Sequence, residues 1–73
     1  MATFRITPKG HQLIEHANKQ GGIYPNHIYL LARIRDGKWY HHEDLKKQTG
    51  IVDWDEVYEV LCRNGAIETA VGA

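Results

Sequence analysis

The sequence predicts a small α+β domain, with three or four helices and a short sheet of two or three strands. Three observations carry that prediction. Trp54, Val57, Tyr58 and Leu61 recur at i, i+3, i+4 and i+7, the period of a helix that buries one face. Phe4 and Ile6 alternate with Thr3, Arg5 and Thr7, the period of a half-buried strand. A chain of 73 residues with 42% hydrophobic content holds one core and is too short for a second, so residues 1–73 are expected to form one domain. The single cysteine, Cys62, excludes an internal disulfide, and packing has to hold the fold.

After the first strand, Thr7-Pro8 suits an N-cap followed by the first helical position, where a missing N–H costs nothing. A helix from Pro8 to about Lys19 turns Leu13, Ile14 and Ala17 inward; Gly10 weakens its first turn, and Gly21-Gly22 ends it. In Ile23-Tyr24-Pro25-Asn26 the proline keeps Tyr24 extended, and Asn26 is a good N-cap for a second helix over about 27–36. Ile28, Leu31, Ala32 and Arg35 share one face of it, with Leu30 and Ile34 alongside, and Asp36-Gly37 closes it. A short extended segment over 38–40 leads to a third helix over about 43–48, with Leu45 as its anchor and Gly50 at its end. Ile51 and Val52 are expected to pack as the chain turns. Asp53 and Glu56 have the spacing of a capping box at the head of the fourth helix, over about 54–64. Asn64-Gly65 stops that helix, and Ala66 to Val71 reads as a last strand.

The net charge of zero hides an asymmetry. Residues 1–40 carry six basic against two acidic side chains, a balance of +4, and residues 41–73 carry three against seven, a balance of −4. Opposite signs in the two halves bear on what each can touch.

Helix, short strand, helix, Gly50 turn, helix and then Asn64-Gly65-Ala66-Ile67 resembles the winged helix-turn-helix family, over about residues 26–70. In that family an Asn- or Lys-Gly-hydrophobic-Ile step leads from the recognition helix into the wing, and the resemblance implies that 54–64 is the recognition helix. The sequence departs from the pattern in one respect. A full wing needs a second strand after the last one, and only Val71, Gly72 and Ala73 remain; the strand at 3–7 is expected to take its place, pairing with 66–70 and with 38–40. The expected domain is therefore helix-turn-helix-like without a full wing.

Such folds read DNA by laying the recognition helix in the major groove. Here its first turn carries Asp53, Asp55 and Glu56, with Glu59 one turn on and only Arg63 positive. Phosphates repel such a helix, because affinity for DNA comes largely from cations that displace counterions. Carboxylates in a first turn also complement the helix dipole, which accounts for Asp53 and Glu56 and leaves Asp55, Glu59, Glu43 and Asp44 as an acidic surface suited to a protein partner. The rival reading is a DNA-binding transcription factor that grips phosphate through Arg5, Lys9, Lys19, Arg33, Arg35 and Lys38; nonspecific affinity for duplex DNA that falls with salt would mark it. A decoy that mimics nucleic acid fits the acidic helix but not the overall neutrality.

Five histidines invite a metal. His11 and His16 are five apart on one helix, His41 and His42 diverge if extended, and His27 stands in a helix's first turn, so no metal or cofactor site is expected. Cys62, beside the apolar stripe, is expected to be buried and structural. With no serine and no Gly-rich phosphate loop, the chain is expected not to be an enzyme. Trp39, Tyr40, Tyr24 and Tyr29 are expected in or at the edge of the core. No apolar run follows a basic start, and the longest apolar stretch, 28–32, is far short of the roughly 20 residues of a membrane span; a soluble, cytoplasmic monomer without membrane contact is expected.

A helix-turn-helix frame with an acidic recognition helix and no wing is similar to small phage-encoded transcription regulators that bind a host enzyme. That resemblance implies an inhibitor of bacterial transcription initiation that docks on RNA polymerase, disturbs the sigma factor's hold and favours antitermination, acting in the host cytoplasm. Arg5 and Lys9 on the basic side, and Asp53, Asp55 and Glu56 at the acidic helix start, are the candidate partner-binding residues.

Overall fold

The computed structural model describes residues 2–20 and 25–71. Seven elements follow one another: β1 (Ala2–Ile6), α1 (Pro8–Gln20), α2 (Asn26–Arg33), β2 (Tyr40–His41), α3 (His42–Thr49), α4 (Trp54–Arg63) and β3 (Ile67–Val71). The three strands form one antiparallel sheet in the order β2-β1-β3. β1 lies at its centre, with Thr3 opposite His41 and Ala70, and Ile6 opposite Ile67. The N-terminal strand thus pairs with both of the other strands, and the small α+β frame carries no full wing among the described residues.

The core forms where the apolar faces of all four helices meet the inner face of the sheet. Phe4 and Ile6 from β1, Leu30 and Leu31 from α2, Leu45 from α3, and Trp54, Val57 and Leu61 from α4 are buried there. Ile14, Ile34, Ile51, Ala66 and Ile67 complete the cluster, with Leu13, Ile28, Tyr40 and Tyr58 packed at its margin. No polar or charged residue is buried among the described residues.

α1 begins as its sequence predicts. The Thr7 hydroxyl accepts the N–H of Gly10 at 3.2 Å, the N-cap bond, and donates to the carbonyl of Gly65 at 2.6 Å. Gly10 has a reason to be there that its sequence position does not reveal. A Cβ at this position would lie 2.4 Å from the Ala66 carbonyl oxygen and 2.5 Å from Ile6 Cγ1. Only glycine lets the first turn of α1 press on the chain leaving α4. That exit is itself a tight one: Ala66 N–H returns to Leu61 O at 2.9 Å and Gly65 N–H to Cys62 O at 3.1 Å, with Gly65 left-handed at φ 71°, a Schellman ending.

Several local expectations are corrected. α2 ends at Arg33 and gives way to a turn, and its buried residues are Leu30 and Leu31 with Ile34 just beyond, while Ala32 and Arg35 are exposed. The eight-residue helix is too short to carry the inward face as far as Arg35. β2 comprises Tyr40–His41 rather than 38–40, because Asp36 folds the preceding segment into a turn, accepting the Lys38 N–H at 3.1 Å and the Tyr40 hydroxyl at 2.6 Å. Ile51 is buried but Val52 is almost fully exposed, since the turn after α3 has room for only one side chain beneath it. Trp39 and Tyr29 stand exposed rather than in the core. The expected helix stop at Gly21-Gly22 and the position of Tyr24 lie outside the described residues.

Candidate functional site

The acidic helix start is built by the α3–α4 corner. α3 ends at Gly50, whose left-handed φ of 64° reverses the chain and lets its N–H reach Lys46 O at 3.2 Å. The buried side chain of Ile51 fixes the turn, and Trp54 then opens α4. Because Trp54, Val57 and Leu61 face inward, Asp55, Glu56 and Glu59 are left on the outer face.

The expected capping box does not form. Asp53 is the N-cap residue of α4 but makes no side-chain cap bond; its Oδ1 instead accepts from Asn26 Nδ2 at 3.0 Å. Asn26 in turn does not cap α2, whose N-cap is Pro25. The two side chains that local sequence assigns to two separate caps are spent on each other, joining the starts of α2 and α4. Other members of the acidic surface also have local partners. Glu59 pairs with Arg63 one turn on at 2.6 Å, and Glu43 lies 3.7 Å from His42 Nδ1. Asp44, Asp55 and Glu56 have no ion-pair partner among the described residues, and they are the acids for which only the helix dipole provides an internal reason.

Beneath this surface lies a ring cluster that sequence reasoning missed. Trp54 Nε1–H donates to His42 Nε2 at 2.7 Å, so the first residue of α3 is tied to the first residue of α4. The His42 ring meets Trp54 and Tyr58 edge-on, with centroids 5.2 and 4.5 Å away, and Phe4 of β1 meets Tyr58 at 5.3 Å in the same way. The partner of His42 is twelve residues away, out of reach of any local spacing rule. The buried indole needs an acceptor, and that need is the signal that could have found it.

The basic candidates stand on other elements. Arg5 projects from the solvent face of β1, opposite to Phe4 and Ile6; it pairs with Glu68 of β3 and its guanidinium lies 4.5 Å from the Trp39 ring centroid. Lys9 is exposed in the first turn of α1 and lies beside Gly65. Lys19 pairs with Glu15 at 3.5 Å, and Arg33 donates to Gln48 at 3.4 Å. The excess positive charge of residues 1–40 is thus partly cancelled where it stands, and Arg5–Glu68 joins the two oppositely charged halves of the chain.

Titration follows these contacts. The Tyr40 hydroxyl, followed by the Lys38 N–H, holds the Asp36 carboxyl below the ordinary aspartate range, and the same bond raises Tyr40. Partial burial pushes Tyr58 up, and it likewise raises Cys62 one turn away. Cys62 is exposed, not buried as expected, because it falls one residue past the inward stripe at Leu61. A thiol held protonated is a poor nucleophile. Among the described residues no three His, Cys, Asp or Glu side chains come together as a metal site would require. No helix among them is long and apolar enough to cross a membrane.

Two concavities flank Ile28. One, of about 370 Å³, is lined by Ile14, Asn26, Tyr29 and Arg35 among others. The other, of about 320 Å³, opens between α1, the start of α2 and the end of α4. Compared with known proteins, the chain matches no family model, and no curated protein or solved structure matches it.

Proposed function

We propose that this protein is a non-catalytic regulator that acts by binding another protein, and that its partner is bacterial RNA polymerase. The observation that carries the protein-binding reading is the outer face of α4. The helix in the recognition position presents Asp55 and Glu56 in its first turn, unpaired among the described residues, where a DNA reader would present cations. The sheet supports the same reading, since its central strand is β1 and among the described residues no wing extends from it to track a minor groove. The choice of RNA polymerase rests on the likeness of this acidic, wingless frame to phage-encoded inhibitors of host transcription. In this reading the acidic start of α4 (Asp53, Asp55, Glu56) docks on a basic surface of the polymerase, Arg5 and Lys9 engage a second, acidic one, and the sigma factor is displaced.

The test uses purified bacterial RNA polymerase. Core and sigma-saturated holoenzyme are each mixed with the protein and separated by size-exclusion chromatography, and promoter-directed transcription is measured alongside. Co-migration with core, sigma released from holoenzyme and reduced initiation are the expected results. Absence of co-migration at micromolar protein and moderate salt removes polymerase as the partner. Tight binding of duplex DNA, weakening steeply as salt rises, would instead favour a direct DNA-binding factor.

A further inference from the structure

We infer that the groove between α1, the start of α2 and the end of α4 is a separate docking site, which takes one face of an acidic amphipathic helix from a protein partner. Its floor is aliphatic: Leu13 from α1, Ile28 from α2, and Val60 and Leu61 from α4. Leu13, Ile28 and Val60 are only half-buried, so apolar surface that belongs to the margin of the core remains open to water. Its volume of about 320 Å³ is at the small end of ligand-binding sites and suits a pair of aliphatic side chains better than a cofactor.

The wall decides the charge of the occupant. Among the described residues that line it, the ionisable side chains are Lys9 and His27 and none is a carboxylate, although the chain carries nine acidic residues. Glutamate or aspartate beside the apolar anchors of a partner therefore meets Lys9 rather than an acid. The backbone form of the occupant follows from the lining as well. The groove runs between helices and, among the described residues, has no strand edge along it, so it offers no ladder to an extended strand; a helix brings its own hydrogen bonds and presents anchors one turn apart.

The inference rests on reading this chain as a protein-binding module, but apart from Lys9 it uses residues outside the charged surfaces assigned to the polymerase. The probe is a synthetic helix-forming peptide with two leucines four residues apart, flanked by glutamates; the control carries lysine at each glutamate. Methyl NMR of the full chain follows the Leu13, Ile28, Val60 and Leu61 signals during titration. The glutamate peptide is expected to shift these four and to bind at least about threefold more tightly than the control, the scale of one exposed charge contact. Lys9→Glu should abolish that preference, and Val60→Asp should weaken binding by about tenfold or more, with circular dichroism reporting whether the fold survives. If Val60→Asp unfolds the chain, the exposed Lys9→Glu variant decides. Unmoved methyl signals at millimolar peptide, or equal binding of both peptides, overturns the inference. Polymerase retained when the peptide fails to bind overturns the groove alone, whereas peptide bound without polymerase overturns only the proposed function.

Discussion

The bond from Trp54 to His42 joins two helix starts through one buried indole, and its removal should be felt throughout the corner. Trp54→Phe deletes the N–H and part of the ring, leaving a small void while His42, half-exposed, can turn to water. We expect a loss of about 2–3 kcal/mol, roughly one for the hydrogen bond and the rest for the void, measured by urea denaturation. A loss below about 0.5 kcal/mol would show that the corner does not depend on this contact. Asp36 and Tyr40 give a residue-level prediction in pH. The folded chain holds the Asp36 carboxylate below its unfolded pKa, so its contribution to stability is present above the unfolded aspartate value and is lost as pH falls through the folded one. Tyr40→Phe removes the largest cause, and carboxyl NMR should then find Asp36 titrating higher, toward the ordinary aspartate range. An unchanged titration would mean that the Lys38 N–H alone holds it.

At the level of elements, the first turn of α1 offers a test in which two effects oppose each other. Gly10→Ala improves intrinsic helix propensity by about 1 kcal/mol. It also places a methyl 2.4 Å from a backbone carbonyl that cannot move without opening the Schellman turn at Asn64-Gly65-Ala66. Overpacking of this kind costs about 1–3 kcal/mol, so the close contact should win and the melting temperature should fall, by about 4–8 °C per net kcal/mol in a domain of this size. A raised melting temperature would show that α1 stands off from Ala66 and the chain leaving α4. The same turn explains what could be read in advance. The four helices, the Thr7 cap, the Gly50 turn and the α4 stripe follow from periods and breakers within about ten residues of one another, whereas the placement of β1 in the sheet follows from the want of a second strand after the last one. Two of the readings that failed concern side chains whose partners are distant. Asn26 and Asp53 are each sound caps by local rule, but they lie 27 positions apart and satisfy each other. Val52 and Cys62 are apolar enough to belong inside, yet the turn after α3 and the narrow stripe of α4 leave them outside, a matter of geometry that composition does not encode. Of the candidate site, the acids at the start of α4 were legible because helix phase fixes which side they face. The His42–Trp54 contact and the groove beside Ile28 were not, since both need the packing of separate elements.

Across the whole molecule, the buried apolar cluster holds the fold and the exposed charges add little to it. The exposed ion pairs Arg5–Glu68, Lys19–Glu15 and Arg63–Glu59 are each worth at most about 1 kcal/mol, and reversing unpaired acids in the first turn of α4 should cost stability only through the helix dipole, about 1–2 kcal/mol for two residues. Asp55 and Glu56 are the two such residues in the turn that a DNA reader would push into the groove. The central claim is that this helix recognises protein through its acids, and the double variant Asp55→Lys, Glu56→Lys tests it most directly. Wild type and variant are compared side by side for retention of RNA polymerase core and of a duplex DNA fragment across a salt series, after thermal melts show both folded at the working temperature. We predict that wild type retains polymerase and not duplex, and that the variant loses polymerase affinity by about tenfold or more at low salt, with the difference shrinking as salt rises. Undiminished polymerase binding by the variant, or salt-sensitive retention of duplex DNA by the wild type, would contradict the claim.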